Sequence, residues 1–233
     1  MESTSGRIIR FAWARVLGLA DDALAGPSAG VVIRESDSVA MYVRLWDQRV
    51  LVGPSHVLEL TPAIEAGASD LRIAAMLVDA MPAAGRFLGQ AALAFTDSYV
   101  GGLDATTCVI TGDRAAVVEV EADCSSDEVV EAGLAAMHHA VVALDEADRP
   151  AAAAGYEEWQ QIIAHLGVLT APQLRGRGFG AIAAAIATND ALDAGLVPQW
   201  RARIENDASR KLAARLGFSE VGTQITVLLP EAI

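Results

Sequence analysis

The hexapeptide Arg175-Gly176-Arg177-Gly178-Phe179-Gly180 is the part of this 233-residue chain best suited to hold a charged ligand. It follows an apolar run, Ile162–Leu169, long enough for a buried strand. Pro172 breaks that run, and an alanine-rich helical pattern starts beyond the turn. Glycines at a strand-to-helix turn let the backbone come close to a ligand. The first N–H groups of the helix have no intrahelical acceptor, and the positive end of the helix dipole lies with them. Such a turn suits a pyrophosphate, and Arg175 and Arg177 add charge.

Two other phosphate-binding signatures fit less well. A P-loop ends in Gly-Lys-Ser/Thr, where this chain has Phe179-Gly180-Ala181. A dinucleotide fingerprint meets Ala181 at its third glycine place, which the looser form tolerates. It also needs an acidic residue about 20 positions on, and Gly195-Leu196-Val197-Pro198 stand there. A nucleotide-binding domain is therefore the weakest option, and tight ATP or NAD binding would indicate it.

Arg175, Gly178 and Gly180 fill the pattern Arg/Gln-x-x-Gly-x-Gly/Ala after a Val-x-x-Pro-like segment, Val168–Pro172. About thirty residues on stand Asn206, Ser209 and Leu216-Gly217-Phe218, an Asn-x-x-Ala/Ser then Leu-Gly-Phe pattern. The two halves, in this order and with strand and helix patterns between them, resemble the acyl-CoA-binding core of the GNAT N-acetyltransferase superfamily. The resemblance implies an α/β (α+β) mixed-sheet fold. It further implies an acyl-CoA cosubstrate, most often acetyl-CoA, and transfer of the acetyl group by direct attack of an amine. Main-chain groups of Val168, Leu169 and Thr170 would pair with the pantetheine arm, and the pyrophosphate would sit over the N–H groups of Arg175 to Gly180. Asn206 matches the family's asparagine near the pantetheine, with Ser209 one helical turn later. Asn206 also reads as an ordinary N-cap of a helix over 207–215.

Amide formation needs a group to take the amine proton and a group to protonate the departing thiolate. The family's base stands eleven or nine residues before the signature arginine, and those places hold Ala164 and Leu166. His165 lies between them, turned to the opposite face by strand alternation unless a bulge re-aims it. The family's acid, a tyrosine seven residues after the asparagine, is replaced by Ala213. Substitutes stand on the neighbouring strand: Tyr156 and Glu158 on one face, Glu157 and Trp159 on the other. Glu158, Glu157 and His165 are thus the candidate catalytic residues, against a plainer reading as strand-end polar groups. The unfilled places keep a second function open, an acyl-CoA-binding sensor or structural protein of the same fold without turnover.

Other polar residues point to no site. His56 stands alone at a helix start, and adjacent His138 and His139, read as ending a helix, lack the i,i+4 spacing of a metal pair. Asp145, Glu146 and Asp148 read as a solvated turn. Trp159 and Trp200 could line an acceptor pocket, although aromatics on core strands more often serve packing. Cys108 and Cys124 are too few for a disulfide framework or zinc cluster and suit a reducing cytoplasm. The net charge of −13 lacks the basic face of a nucleic-acid binder and would steer cationic acceptors inward. No window reaches the ~20 apolar residues of a membrane span, and the start does not read as a signal peptide. The expected partners are acetyl-CoA and a small amine or peptide amine. The oligomeric state stays open, with a homodimer, common in the family, as one option.

The elements that must position these residues follow from periodicity. Residues 104–233 read as the acetyltransferase core: strand Ala115–Val120, a helix from Ser125/Ser126, strands Val141–Leu144, Ala151–Gln160 and Ile162–Thr170. A helix over 178–193, strand Gln199–Ile204, helix 207–215 and strand Val221–Leu229 complete it. Residues 1–103 read as an additional α/β region. Helices are expected at Ile8–Leu24, Pro54–Gly67 and Ser69–Met81, and strands at Val31–Ile33, Met41–Trp46, Val50–Val52 and Gln90–Phe95. This region would be a degenerate half-copy of the fold or a separate layer. It has no glycine motif like Arg175–Gly180.

Overall fold

The structure is a computed structural model that describes residues 3–82, 84–102 and 108–230. Along the chain, α1 (Ser3–Val16) precedes β1 (Val31–Glu35), β2 (Val39–Leu45) and β3 (Gln48–Gly53). Three helices follow, α2 (Ser55–Leu58), α3 (Thr61–Glu65) and α4 (Asp70–Asp79), then β4 (Arg86–Phe95) and β5 (Ile110–Thr111). Next come α5 (Arg114–Asp123), α6 (Ser126–Ala132), β6 (His139–Leu144), β7 (Pro150–Trp159) and β8 (Ile163–Thr170). The chain ends with α7 (Phe179–Asp193), β9 (Val197–Arg203), α8 (Asp207–Arg215) and β10 (Ser219–Leu228). Among the described residues, no helix is long and apolar enough to cross a membrane.

The chain forms two compact units built from discontinuous segments. One comprises Gly6–Ala94, Arg201–Arg210 and Glu220–Ile233; the other comprises Met1–Ser5, Phe95–Trp200 and Lys211–Ser219. The boundary expected between residues 103 and 104 lies outside the described residues.

In the first unit, β1 runs parallel to β3 (Val31↔Arg49 to Glu35↔Gly53), and β2 is antiparallel to both β3 and β10. Tyr42, Leu51, Val57, Ile64, Ile73, Leu77, Ile225 and Val227 form its core. Side chains from these strands and from α2, α3 and α4 meet there, as the 3.6-residue and alternating patterns require. The helix expected over Pro54–Gly67 is divided into α2 and α3, and α1 stops well before Leu24. Gly18, at φ +66°, ends the first of these runs.

The second unit contains the glycine turn. Here β5, β6, β7 and β8 are successively antiparallel, and β9 joins β8 in parallel. On one face, Val117 and Val120 of α5, with Ala132, Leu134 and Met137, pack on Val142, Ala153 and Leu169. The other face, which carries Tyr156 and Thr170, is covered by α7, and its buried Ala181, Ala183, Ala184, Ala185, Ala187 and Ala191 permit a close approach. Two sequence expectations are corrected in this unit. Ala115–Val120, expected as a strand, lies inside helix α5. Ala116, Val117 and Val120 have helical spacing, and Asp113 caps the helix by accepting from Ala115 N–H at 2.9 Å, which outweighs the strand preference of the valines. His138 and His139 do not end a helix: α6 stops at left-handed Gly133, and His139 opens β6.

Gly167 is fixed by packing. A Cβ there would collide with the backbone of Ala132 at the end of α6 and lie 2.8 Å from Met137 Cε. Gly167→Ala is expected to destabilise the fold by about 1–3 kcal/mol, lowering the melting temperature by roughly 2–12 °C. A thermal melt unchanged from the parent would contradict the close approach.

Candidate functional site

The glycine turn divides its three glycines between two tasks. Gly176 (φ +77°) and Gly178 (φ +96°) hold left-handed conformations that side chains resist, and Gly178 is the N-cap of α7. Its carbonyl accepts from the N–H groups of Ala181 and Ile182. Gly180 is needed for space: a Cβ would lie 2.5 Å from Thr170 Oγ1 at the end of β8. The first N–H groups of α7 therefore start directly beyond the end of β8, and as first-turn groups they have no intrahelical acceptor.

The two arginines behave differently. Arg175 donates from Nε to the Thr170 carbonyl (3.2 Å) and from its guanidinium to Glu128 Oε1 (2.7 Å). Glu128 is the third residue of α6, and its Oε2 accepts from the N–H and hydroxyl of Ser125 in a reciprocal capping box. Arg175 thus fastens the turn to the start of α6. The guanidinium of Arg177 lies over the Phe179 ring, 5.3 Å from its centroid.

Along β8, Val168, Leu169 and Thr170 pair with Ala154, Ala153 and Ala152 of β7. Among the described residues, the ladder between β8 and β9 covers Ile163↔Val197, Ala164↔Pro198 and His165↔Gln199 and ends there.

The β7–β8 register is continuous from Ala152↔Thr170 to Trp159↔Ile163, so no bulge re-aims His165. It puts the candidate catalytic residues on two faces. On one face, His165 stands opposite Glu157; its ring stacks on Trp159 at 4.3 Å, and Trp159 Nε1–H donates to Glu157 Oε2 at 3.1 Å. The buried amide of Gln199 reaches His165 Nδ1 at 3.1 Å. On the other face, Glu158 stands opposite Ala164. His139 stacks on Tyr156 at 4.7 Å, 3.9 Å from both Glu158 and Asp190. Tyr156 donates its hydroxyl to Asp190 Oδ2 at 2.9 Å. Burial, reinforced by that bond, pushes the Tyr156 phenol well above its usual range, so it stays a donor. Glu157 and His165 are thereby brought together, and Glu158 is separated from them by the sheet.

Asp190 and Gln199 carry no functional signal in the sequence, and His139 reads there only as half of a helix-ending pair. Their roles depend on cross-strand register and on how α7 lies over β7, neither of which leaves a local signal. Asn206 and Ser209 belong to the first unit, where Asn206 Oδ1 accepts from Ser209 N–H at 3.1 Å as an N-cap. Gly217 (φ +88°) closes α8, and Phe218 packs edge-on against Trp200 at 5.4 Å, so Trp200 serves the core. His56 hydrogen-bonds the Ala80 carbonyl. Asp145, held by Arg149 and by loop N–H groups, is lowered to about 2 and shapes the β6–β7 turn. Among the described residues no cluster of potential metal ligands occurs.

Residues 142–226 match the family model of the GNAT acetyltransferases, which spans β6 through β10 and includes the glycine turn. This segment is similar to the GNAT acetyltransferase family. A GCN5-related N-acetyltransferase from Sphaerobacter thermophilus is similar in fold, with TM-score 0.51 and 12% identity over 98% of this chain and 93% of that one. A GCN5-related N-acetyltransferase-like protein from Streptococcus suis gives 0.50 and 20% identity over 83% and 84%. A GCN5-related N-acetyltransferase from Kribbella flavida gives 0.48 and 20% identity, and the match spans 69% of this chain but only 64% of that one. No curated protein matches the sequence.

The Glu128 clamp gives a pH prediction. Hydrogen bonds from Ser125 first, then the charge of Arg175, hold the Glu128 carboxyl below its usual range. A depressed folded value adds stability above the ordinary carboxylate pKa of ~4.3, lost as pH falls through the folded value. The parent should therefore melt above Glu128→Gln at neutral pH, with the gap closing below pH ~4. A gap that keeps its size in acid would contradict this role.

Proposed function

We propose that this protein belongs to the GNAT superfamily and is an acyl-CoA-dependent N-acyltransferase that uses acetyl-CoA as donor and a small amine or a peptide amine as acceptor. The observation that carries the reading is the end of the β8–β9 ladder at His165 and Gln199, followed along the same strand by the glycine turn of α7. Beyond His165, the edge of β8 that faced β9 can pair with an extended pantetheine arm, as a further strand would. The N–H groups of Gly178, Phe179 and Gly180, with Arg177 beside them, suit the pyrophosphate. Arg175 reaches the ligand only by yielding its hold on Glu128, so its first task is to shape the turn.

Of the three candidate catalytic residues, Glu157 and His165 share the face at the last rung of the ladder. Glu157 is proposed as the base. In the reaction the amine nitrogen bonds to the acyl carbon, the carbon–sulfur bond breaks, and the amine proton passes to the carboxylate. The thiolate leaves and takes up a proton returned through water. The net charge of −13 favours a cationic amine as the incoming acceptor.

Thermal stability with acetyl-CoA, CoA, ATP and NAD tests the ligand. Acetyl-CoA or CoA at ~100 times its dissociation constant adds ~2.7 kcal/mol, a rise of roughly 5–10 °C, while ATP and NAD should give none. No response to any CoA species overturns the proposal. With an acceptor found by free-thiol release, Glu157→Gln should lower kcat ~10²–10⁴-fold, and Glu158→Gln far less. The reverse ranking would move the base to the face of α7. CoA binding without turnover of any amine would leave a binding protein in place of an enzyme.

A further inference from the structure

We infer that Gln199 is a positioning residue that holds His165 in the tautomer with its proton on Nε2, so that His165 acts in acyl transfer as a hydrogen-bond donor and not as the base. The donor role rests on the acyltransferase reading above, whereas the tautomer does not.

The geometry begins in the backbone. His165 and Gln199 are register partners on adjacent strands, so their Cα atoms are fixed side by side at the last rung of the ladder. Gln199 is completely buried and His165 is 8% exposed, so the contact between them is shielded from water. The Gln199 Nε2 amide nitrogen lies 3.1 Å from His165 Nδ1. A carboxamide nitrogen can only donate, so Nδ1 must accept, and a neutral imidazole with a bare Nδ1 carries its proton on Nε2.

The ring is also held in its plane. Trp159 stacks on it at 4.3 Å with 26° between planes, and Trp159 is in turn tied by its Nε1–H to Glu157. Glu157 stands directly across from His165. Four side chains on three strands thus fix one ring, one tautomer and one carboxylate relative to the point where β8 and β9 cease to pair.

This placement answers a gap in the chemistry. Ala213 stands where the family has its acid, so negative charge developing on the thioester oxygen or on the departing sulfur needs another donor. A neutral Nε2–H supplies a hydrogen bond there and keeps its proton. The proton lost by the amine goes to Glu157, and the thiolate is protonated through water, so the balance needs no further reactant. A positioned donor of this kind is worth ~10²–10³ in kcat.

The test is the imidazole spectrum of the full chain labelled with ¹⁵N-histidine, assigned by loss of the His165 signals in His165→Gln. The parent should show a protonated Nε2 and a bare Nδ1. In Gln199→Glu the carboxylate accepts from Nδ1–H, so the proton should move to Nδ1 and kcat should fall ~10²–10³-fold with the KM for acetyl-CoA nearly unchanged. Gln199→Met keeps the volume without a donor. It should give a mixed tautomer and an intermediate rate, and it serves if burying the glutamate prevents folding. A parent protein with its proton on Nδ1 would overturn the inference, because the amide would then present its oxygen and Nε2 would carry no proton to donate. The expected tautomer together with no turnover of any amine would overturn the acyltransferase reading and the donor role, while the assignment to Gln199 would stand.

Discussion

The contact between Thr170 and Gly180 is the constraint around which the candidate site is arranged. Because residue 180 has no side chain, α7 can start against the last residue of β8. The open N–H groups of its first turn then continue the line of the strand. Gly176 and Gly178 make this possible by taking backbone angles that a side chain would oppose, and Arg175 locks the result by bridging Thr170 and Glu128. The capping box of α6 is therefore part of the same device: it presents the carboxylate that Arg175 grips. A ligand-binding turn made of backbone needs such an external clamp, since its glycines contribute little order of their own.

Strand alternation then sorts the polar side chains. With no bulge in the β7–β8 pair, neighbouring residues must face opposite ways, and Glu157 and Glu158 enter different surroundings although they are adjacent. Glu157 joins Trp159, His165 and Gln199. Glu158 joins His139, Tyr156 and Asp190, a set that anchors α7 to the sheet through the Tyr156–Asp190 bond. Two polar clusters on the two sides of one strand pair give different chemistry from the same composition. One is organised around a buried imidazole, the other around a phenol that burial keeps protonated.

Much of this was legible in the sequence, for identifiable reasons. The runs that became β7, β8, α7 and α8 are long and strongly patterned, and the glycine turn is a backbone signal written directly in residue type. The face of His165 and the capping roles of Asn206 and Ser125 followed from local rules. The failures were equally physical. The valines of α5 suggested a strand, but Asp113 and the helical spacing of the buried positions decided for a helix. His138 and His139 follow a helical pattern in sequence, but the left-handed turn at Gly133 ends α6 before they are reached. The partners of His165 and Tyr156 come from other strands and from α7, so they emerge only when register is known. That Asn206, Ser209 and β10 from Glu220 onward fold with Gly6–Ala94 has no signal in composition.

The central claim is that the freed edge of β8 and the turn after it receive an acyl-CoA through main-chain groups. Amide hydrogen exchange, read by mass spectrometry with and without acetyl-CoA, tests it most directly. The account predicts slower exchange concentrated in peptides covering Leu166–Gly180, because new partners would bond the amides of Val168–Thr170 and of the glycine turn. Binding that leaves exchange across Leu166–Gly180 unchanged and protects another part of the chain would contradict it.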